Sequence, residues 1–227
     1  MIDGEGVSLF LYRGATFRID SGVQPPKTGS LLFCRHLDVR PGERVLEIGA
    51  GAGLAAVMAA RAGAVVIATD VRPESVACTR ENAERNGVTD RVDVRLGDGF
   101  APVAGLTFDL VCTSPPQMPT PPGRERDDAE AAADNGGRDG WALLDRVIRE
   151  APVYLVPAGA SSSRCSASSA SSGPAGGSAR PASHPRSWRA SRSPSRTSAT
   201  SAWTTCARST TSRRFRVDRS PGRSTAT

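Results

Sequence analysis

The chain of 227 residues lacks the features of a disulfide-stapled, zinc-binding or membrane-spanning protein. Its five cysteines are an odd number with no Cys-x-x-Cys spacing and no nearby histidine cluster, so neither a disulfide framework nor a metal site is expected. No apolar run reaches the roughly 18 residues that a membrane span needs, and the N-terminus lacks the basic start of a secretion signal. We therefore expect a protein of the reducing cytoplasm without a membrane partner.

The C-terminal part, residues 160–227, lacks lysine, glutamate, leucine, isoleucine and methionine altogether. It holds twelve arginines and one aspartate, a net charge of +11, so residues 1–159 are net −5 although the whole chain is +6. Without aliphatic periodicity this tail is predicted to be disordered. A partner role for nucleic acid would belong to the tail alone and is not required by the folded part.

A second interpretation of the tail is a frameshift near Ala160. Reading GC-ending codons one base out of frame would turn residues 161–172 into an aliphatic, strand-like segment, and residues 201–216 into an ordinary amphipathic one. We favour this hypothesis over an arginine-serine RNA-binding tail. It predicts that the last strands of the fold are missing.

The rest of the chain alternates short apolar runs with helical patterns. Two N-terminal strands within residues 1–22 precede a domain at 23–159, in which strands and helices alternate with short links. This order predicts an α/β fold with a parallel sheet and helices on both faces. The last predicted element is an amphipathic helix over residues 140–151.

A glycine-dense turn follows an apolar strand at residues 45–53. Glu47 precedes the turn, and its glycines are Gly49, Gly51 and Gly53. Without Cβ atoms, the backbone amides of such a turn can lie against a ligand, and the next helix can pack closely on the strand. A nicotinamide fingerprint needs its third glycine one position later, which disfavours that cofactor. The turn predicts a nucleotide-like ligand, the alternative being a tight turn that binds nothing.

Two further acidic residues come at the ends of later strands. Asp70 closes the second strand of the predicted sheet, and Asp98, Gly99 and Phe100 follow the third. Taken singly, Asp70 reads as a helix cap and Asp98 as part of an Asp-Gly turn. Because the carboxyl ends of parallel strands meet at one edge of the sheet, the succession Glu47, Asp70, Asp98 favours a shared binding crevice.

The fourth strand ends in Ser114, Pro115, Pro116 and Gln117, which we predict as the catalytic residues. Two prolines fix the backbone and cannot donate hydrogen bonds, so we expect carbonyl oxygens to point at the cleft. Such acceptors can hold an NH2 group. A Pro-Pro loop that merely ends a strand is the alternative.

These motifs carry a family resemblance. The turn after Glu47 resembles the first motif of class I S-adenosylmethionine-dependent methyltransferases, and the Ser-Pro-Pro-Gln loop resembles the Asn/Asp/Ser-Pro-Pro-aromatic motif of enzymes that methylate planar amino groups. Residues 133–141 and the proline-containing segment 23–28 are similar to stretches of HemK-like glutamine N5-methyltransferases. The resemblance implies a Rossmann-like parallel sheet and S-adenosylmethionine as cofactor.

The resemblance also implies roles for single residues. Glu47 and the glycines would hold the methionine end of the cofactor, Asp70 the ribose, and Asp98 the adenine, with Phe100 covering the ring. The full set implied for cofactor binding is Thr28, Glu47, Gly49, Gly51, Gly53, Asp70, Asp98, Gly99, Phe100 and Ser114.

Two departures from the family pattern bear on the acceptor. Ser114 stands where glutamine and adenine enzymes usually have Asn or Asp, and Gln117 stands where an aromatic ring normally stacks on the substrate. A protein glutamine, a nucleobase and a small molecule stay open as methyl acceptors, the last belonging to specialised metabolism. A truncated non-catalytic protein and a basic RNA-binding chain are the other functions considered.

Overall fold

The computed structural model describes residues 7–124, 134–156 and, as backbone, 164–167. The strands are β1 (Ser8–Tyr12), β2 (Ala15–Ile19), β3 (Arg44–Ile48), β4 (Val65–Asp70), β5 (Val92–Leu96), β6 (Leu110–Thr113) and β7 (Arg164–Ala167). The helices are α1 (Thr28–His36), α2 (Leu54–Arg61), α3 (Pro73–Arg85) and α4 (Ala142–Tyr154), and a 3-10 turn spans Ala101–Val103.

The main sheet is parallel and has the strand order β5-β4-β3-β6-β7. The chain runs outward from β3 through β4 to β5, and then crosses back to place β6 on the other side of β3. In an open α/β sheet, ligands bind at such a reversal of strand order, outside the carboxyl ends of the strands. The register aligns these ends, because Ile48 lies opposite both Thr69 and Thr113.

Each face of the sheet has its own apolar core. Along β3, Val45 belongs to the cluster shared with α2, α3 and the N-terminal hairpin, whereas Leu46 and Ile48 belong to the cluster under α4. The period of two in a strand produces this division. With both faces covered, the central strands are buried almost throughout.

Strands β1 and β2 form a separate antiparallel hairpin that packs on α3. Asn82 of α3, which is fully buried, fastens the hairpin to the glycine turn. Its Oδ1 accepts from the Arg18 backbone N–H at 2.8 Å, and its Nδ2 donates to the carbonyls of Arg18 and Ala52 at 2.8 and 3.0 Å. One amide therefore ties the N-terminal segment to the loop after β3.

The alternation of strands and helices that was expected up to residue 113 is present in the structure. The last predicted helix is longer than expected. It begins at Ala142 and continues through Pro152 to Tyr154, whose ring stacks on Phe100 with the ring centroids 4.4 Å apart. That contact holds the final turn against the sheet.

Strand β7 lies within the segment for which disorder was predicted, and it pairs in parallel with β6. The prediction was therefore wrong for residues 164–167, because backbone hydrogen bonding to β6 does not depend on aliphatic side chains. Residues 160–163 and 168–227 lie outside the described residues. Within the described ranges, no helix has the length and apolar character that a bilayer crossing demands.

We expect Asn82→Leu to lower the free energy of unfolding by about 2–6 kcal/mol, because the part-buried N–H of Arg18 and the buried carbonyl of Ala52 lose their partner at ~1–3 kcal/mol each. Urea unfolding measures the change. Asn86→Leu is the matched control, since Asn86 makes the same kind of contact to Thr16 but is half-buried, where water can replace it. Equal losses in the two variants would contradict this account.

Candidate functional site

A cavity of about 510 Å³ lies at the carboxyl ends of the central strands, between the glycine turn, α1 and the Pro-Pro loop. Its wall brings together most of the residues that the sequence singled out. The predicted residues that line it are Thr28, Glu47, Gly49, Gly51, Asp70, Asp98, Gly99, Ser114, Pro115, Pro116 and Gln117.

The glycine turn presents its backbone to this cavity. A Cβ built on Gly49 or Gly51 would meet no atom within 4 Å, so both glycines face open space. Gly53 differs, because its Cβ would lie 2.8 Å from the Thr79 Cγ2 atom of α3. Gly53 does not line the cavity and instead, with φ at +78°, allows α3 to pack against the turn, so its contact with the ligand stays a prediction.

Asp70 is held at the wall by backbone hydrogen bonds. The Gly51 N–H donates to Oδ2 and the Arg72 N–H donates to Oδ1, both at 2.9 Å. The carboxylate is thereby oriented in advance and keeps lone pairs for further donors, since each oxygen can accept more than one hydrogen bond. This is the acceptor that a ribose hydroxyl pair needs.

Glu47 is the most unusual group of the site. Its side chain is 3 % exposed, and its Oε2 has no hydrogen-bond partner among the described residues. Burial raises its pKa to about 8, a backbone hydrogen bond from Ala56 acts in the opposite sense, and the nearby Asp70 adds to the rise. A buried acid that lines a cavity and has one unpartnered oxygen fits a ligand that brings its own positive charge.

Phe100 does not reach the cavity. It is 1 % exposed and stacks on Tyr154 in the core under α4, so the prediction that it covers an adenine ring was wrong. A large aromatic ring gains more from full burial than from a cavity wall. Apolar wall groups come instead from Val71, which is 60 % exposed, and from Leu143 of α4. Val71 could have been found from its place directly after Asp70.

The Pro-Pro loop is braced by the segment before α4. The Met118 N–H donates to the Asp134 carbonyl at 2.9 Å, the Gly136 N–H donates to the Met118 carbonyl at 2.9 Å, and the Thr120 N–H donates to the Gly137 carbonyl at 2.7 Å. The two ends of the loop at residues 118–134 are thus joined. Residues 125–133 between them lie outside the described residues.

Close backbone packing accompanies these hydrogen bonds. A Cβ on Gly136 would lie 2.9 Å from the Pro116 carbonyl oxygen, and one on Gly140 would overlap the Gln117 carbonyl oxygen. The expectation that the loop carbonyls all point at the cleft was therefore wrong for Pro116 and Gln117, because these oxygens lie against the glycine segment. The family motif at residues 133–141 contains both glycines but does not by itself predict this brace.

An ion pair joins two walls of the cavity. Lys27, before α1, places Nζ 2.9 and 2.8 Å from the two carboxylate oxygens of Asp134. Both residues line the cavity, as do Cys34 and His36 of α1. Burial raises the pKa of the Cys34 thiol, so this cysteine stays protonated and is not an activated nucleophile.

Residues 20–121 match the Methyltransferase small domain family. A Methanocaldococcus jannaschii protein with the name "Putative protein N5-glutamine methyltransferase" is 34 % identical over 147 residues, which cover 64 % of this chain and 73 % of that protein. The chain belongs to the methyltransferase small domain family. A release factor glutamine methyltransferase of Aquifex aeolicus is 31 % identical over 63 % of this chain and 54 % of its own length.

The chain spans about half of some relatives' length. A ribosomal protein uL3 glutamine methyltransferase of Bradyrhizobium diazoefficiens is 35 % identical over 67 % of this chain and 54 % of that protein. A solved 16S rRNA methyltransferase of T. thermophilus, in complex with AdoMet and guanosine, has a TM-score of 0.52 and 23 % identity, covering 72 % of this chain and 41 % of that one. At this identity the likeness concerns the fold alone.

Membership of the small domain family confirms the prediction of a class I, S-adenosylmethionine-dependent methyltransferase with a Rossmann-like fold. The site fits that cofactor on structural grounds. Glu47 offers a buried acid with one unpartnered oxygen, Gly49 and Gly51 offer open backbone, and Asp70 offers an oriented carboxylate.

The raised pKa of Glu47 predicts a pH-dependent stability of the ligand-free protein. Between the ordinary glutamate pKa of 4.5 and about 8, the unfolded chain loses a proton that the folded chain keeps, so stability falls as pH rises. We expect the free energy of unfolding of Glu47→Gln, relative to that of the wild type, to rise by about 1.4 kcal/mol for each pH unit in this window. Urea unfolding at pH 5, 6.5 and 8 measures the difference.

Glu74→Gln serves as the control, since the Glu74 side chain is 54 % exposed. Its stability curve should run parallel to that of the wild type. A parallel curve for Glu47→Gln as well would disprove the assignment of the buried acid.

Proposed function

We propose that this methyltransferase transfers the methyl group to the side-chain amide nitrogen of a protein glutamine. The observation that carries the proposal is the braced Ser114–Gln117 loop, which borders the same cavity as Glu47 and Asp70. The three relatives described above are each named as glutamine methyltransferases, which supports this acceptor class.

Several groups would hold the cofactor. Glu47 and the open glycine turn would bind its methionine end, Asp70 would bind the ribose, and Asp98 would bind the adenine. S-adenosylmethionine, when bound, supplies a methyl group on a positively charged sulfur. The ionised form of the buried Glu47 complements a positive charge, and a low-dielectric wall strengthens that attraction. Cofactor binding should therefore draw the Glu47 proton off.

An amide nitrogen is a weak nucleophile, so the loop must act by orientation. Holding two reactants in place can contribute up to ~7–11 kcal/mol to lowering the barrier. The prolines and the glycine brace restrict the loop backbone, which suits that role. The acceptor nitrogen can release its proton to water during or after transfer, so none of the named residues needs to be a strong base.

A small-molecule acceptor is the second candidate, and Gln117 favours it. The residue after Pro116 carries an amide rather than an aromatic ring, so the loop provides no stacking surface for a planar base. A polar amide can instead hydrogen-bond to a polar methyl acceptor.

The predicted location of the protein stays the reducing cytoplasm.

Calorimetry with S-adenosylhomocysteine tests the cofactor site. We expect Asp70→Asn to weaken binding about 10- to 100-fold, because a charged hydrogen-bond acceptor contributes ~1.5–3 kcal/mol and the new amide also places a donor beside the Gly51 or Arg72 N–H. Asp109→Asn is the matched control. Asp109 also accepts a backbone N–H, from Arg44, but does not line the cavity. Equal weakening in both variants, or none in either, would count against the site.

The acceptor loop is tested by Gly140→Ala, whose new Cβ meets the Gln117 carbonyl. We expect kcat to fall about 100-fold, as a misplaced loop of about 1 Å can cause, while the Kd of S-adenosylhomocysteine changes little. Gly42→Ala is the control, since Gly42 has the same φ of +82° but no atom within 4 Å of its Cβ position. A similar fall in kcat for Gly42→Ala would refute the role of the brace.

The acceptor itself is identified by incubating lysate fractions with S-adenosylmethionine that carries a labelled methyl group. Label in protein, recovered after digestion as N5-methylglutamine, supports the proposal. Label confined to nucleic acid or to small molecules overturns the glutamine acceptor and leaves the methyltransferase chemistry intact.

A further inference from the structure

Arg146 of α4 contacts Asp98, the residue predicted to bind adenine. Its Nη1 donates to the Asp98 Oδ2 at 2.7 Å, and its Nε donates to the Glu150 Oε1 at 3.0 Å. No local sequence pattern indicates this contact, because 48 residues separate Arg146 from Asp98.

The guanidinium occupies the space that a side chain would need at position 99. A Cβ built on Gly99 would lie 3.1 to 3.4 Å from three of the guanidinium atoms. The backbone beneath is fixed, because the buried Thr69 hydroxyl donates to the Gly99 carbonyl at 3.0 Å and the Ala101 N–H donates to the Asp98 carbonyl at 3.1 Å. A rigid strand end thus carries a carboxylate whose described contact is the Arg146 ion pair.

Stability does not account for this ion pair. The Asp98 side chain is 65 % exposed and that of Arg146 is 33 % exposed. Ion pairs at such exposure contribute little to folding, because water and salt screen them. The ion pair does have a local effect, since it binds one carboxylate oxygen of Asp98 and leaves the Oδ1 for another donor. Asp98 lines the cavity, so that donor can belong to a ligand.

We propose that Arg146 is a positioning residue that orients the Asp98 carboxylate toward the amino group of the adenine ring, and so makes the site select a 6-amino over a 6-oxo purine. The inference rests on the proposed function, in which Asp98 faces adenine. Without the guanidinium, ordering the exposed Asp98 side chain would cost part of the binding free energy. The preference for a 6-amino purine would then fall.

Calorimetry with S-adenosylhomocysteine and S-inosylhomocysteine tests this inference. We expect the wild type to bind the adenine compound about 10- to 100-fold more tightly, as a charged hydrogen bond implies. Arg146→Met should lower that ratio about fivefold, a loss of roughly 1 kcal/mol typical of ordering one side chain. The ratio is the readout, because a merely structural role would weaken both compounds alike.

Arg149→Met is the matched control. Arg149 lies on the same helix and pairs with Asp145 in an i, i+4 ion pair as Arg146 does with Glu150, but does not contact Asp98. Its ratio should equal that of the wild type. In an Asp98→Ala background, Arg146→Met should change the ratio no further, which identifies Asp98 as the group through which Arg146 acts.

The outcomes separate the two claims. A wild type that binds neither compound overturns the proposed function, and this inference with it. A wild type that prefers the adenine compound, with an Arg146→Met variant that keeps the full preference or loses affinity for both compounds equally, overturns the inference alone.

Discussion

The site depends on hydrogen bonds that hold the glycine turn against the end of strand β4. The Thr69 carbonyl accepts from the N–H groups of Gly49 and Ala50 at 2.8 and 3.1 Å, and the Asp70 carboxylate accepts from that of Gly51. The turn therefore takes its shape from a strand that follows it in sequence. The same carboxylate that faces the cavity also holds the backbone around it, so structure and recognition share one group.

Local signals predicted the sheet, the glycine turn and the acidic strand ends, because hydrophobic period and glycine spacing act over a few residues. What they missed depends on contacts between distant segments. Whether Phe100 faces the cavity or the core is decided by Tyr154 of α4, and the brace on the Pro-Pro loop needs Gly136 and Gly140 to return to it. Periodicity carries no information on such pairings.

Helix α4 connects the two ends of the cavity. At its start, the Ala142 N–H donates to the Gly136 carbonyl, within the segment that braces the Pro-Pro loop. One turn later, Arg146 contacts Asp98. Its final turn stacks Tyr154 on Phe100 in the core. A rigid helix anchored at both ends transmits displacement along its length, so we expect the Pro-Pro loop and Asp98 to shift together.

The Lys27–Asp134 ion pair joins two walls of the cavity. Its side chains are 52 % and 33 % exposed, so the tie between the two walls is weak and is screened by dissolved ions. Such an ion pair can break and re-form while the helices and the sheet stay folded. The two cavity walls can then separate at this point without unfolding, and more readily at higher ionic strength.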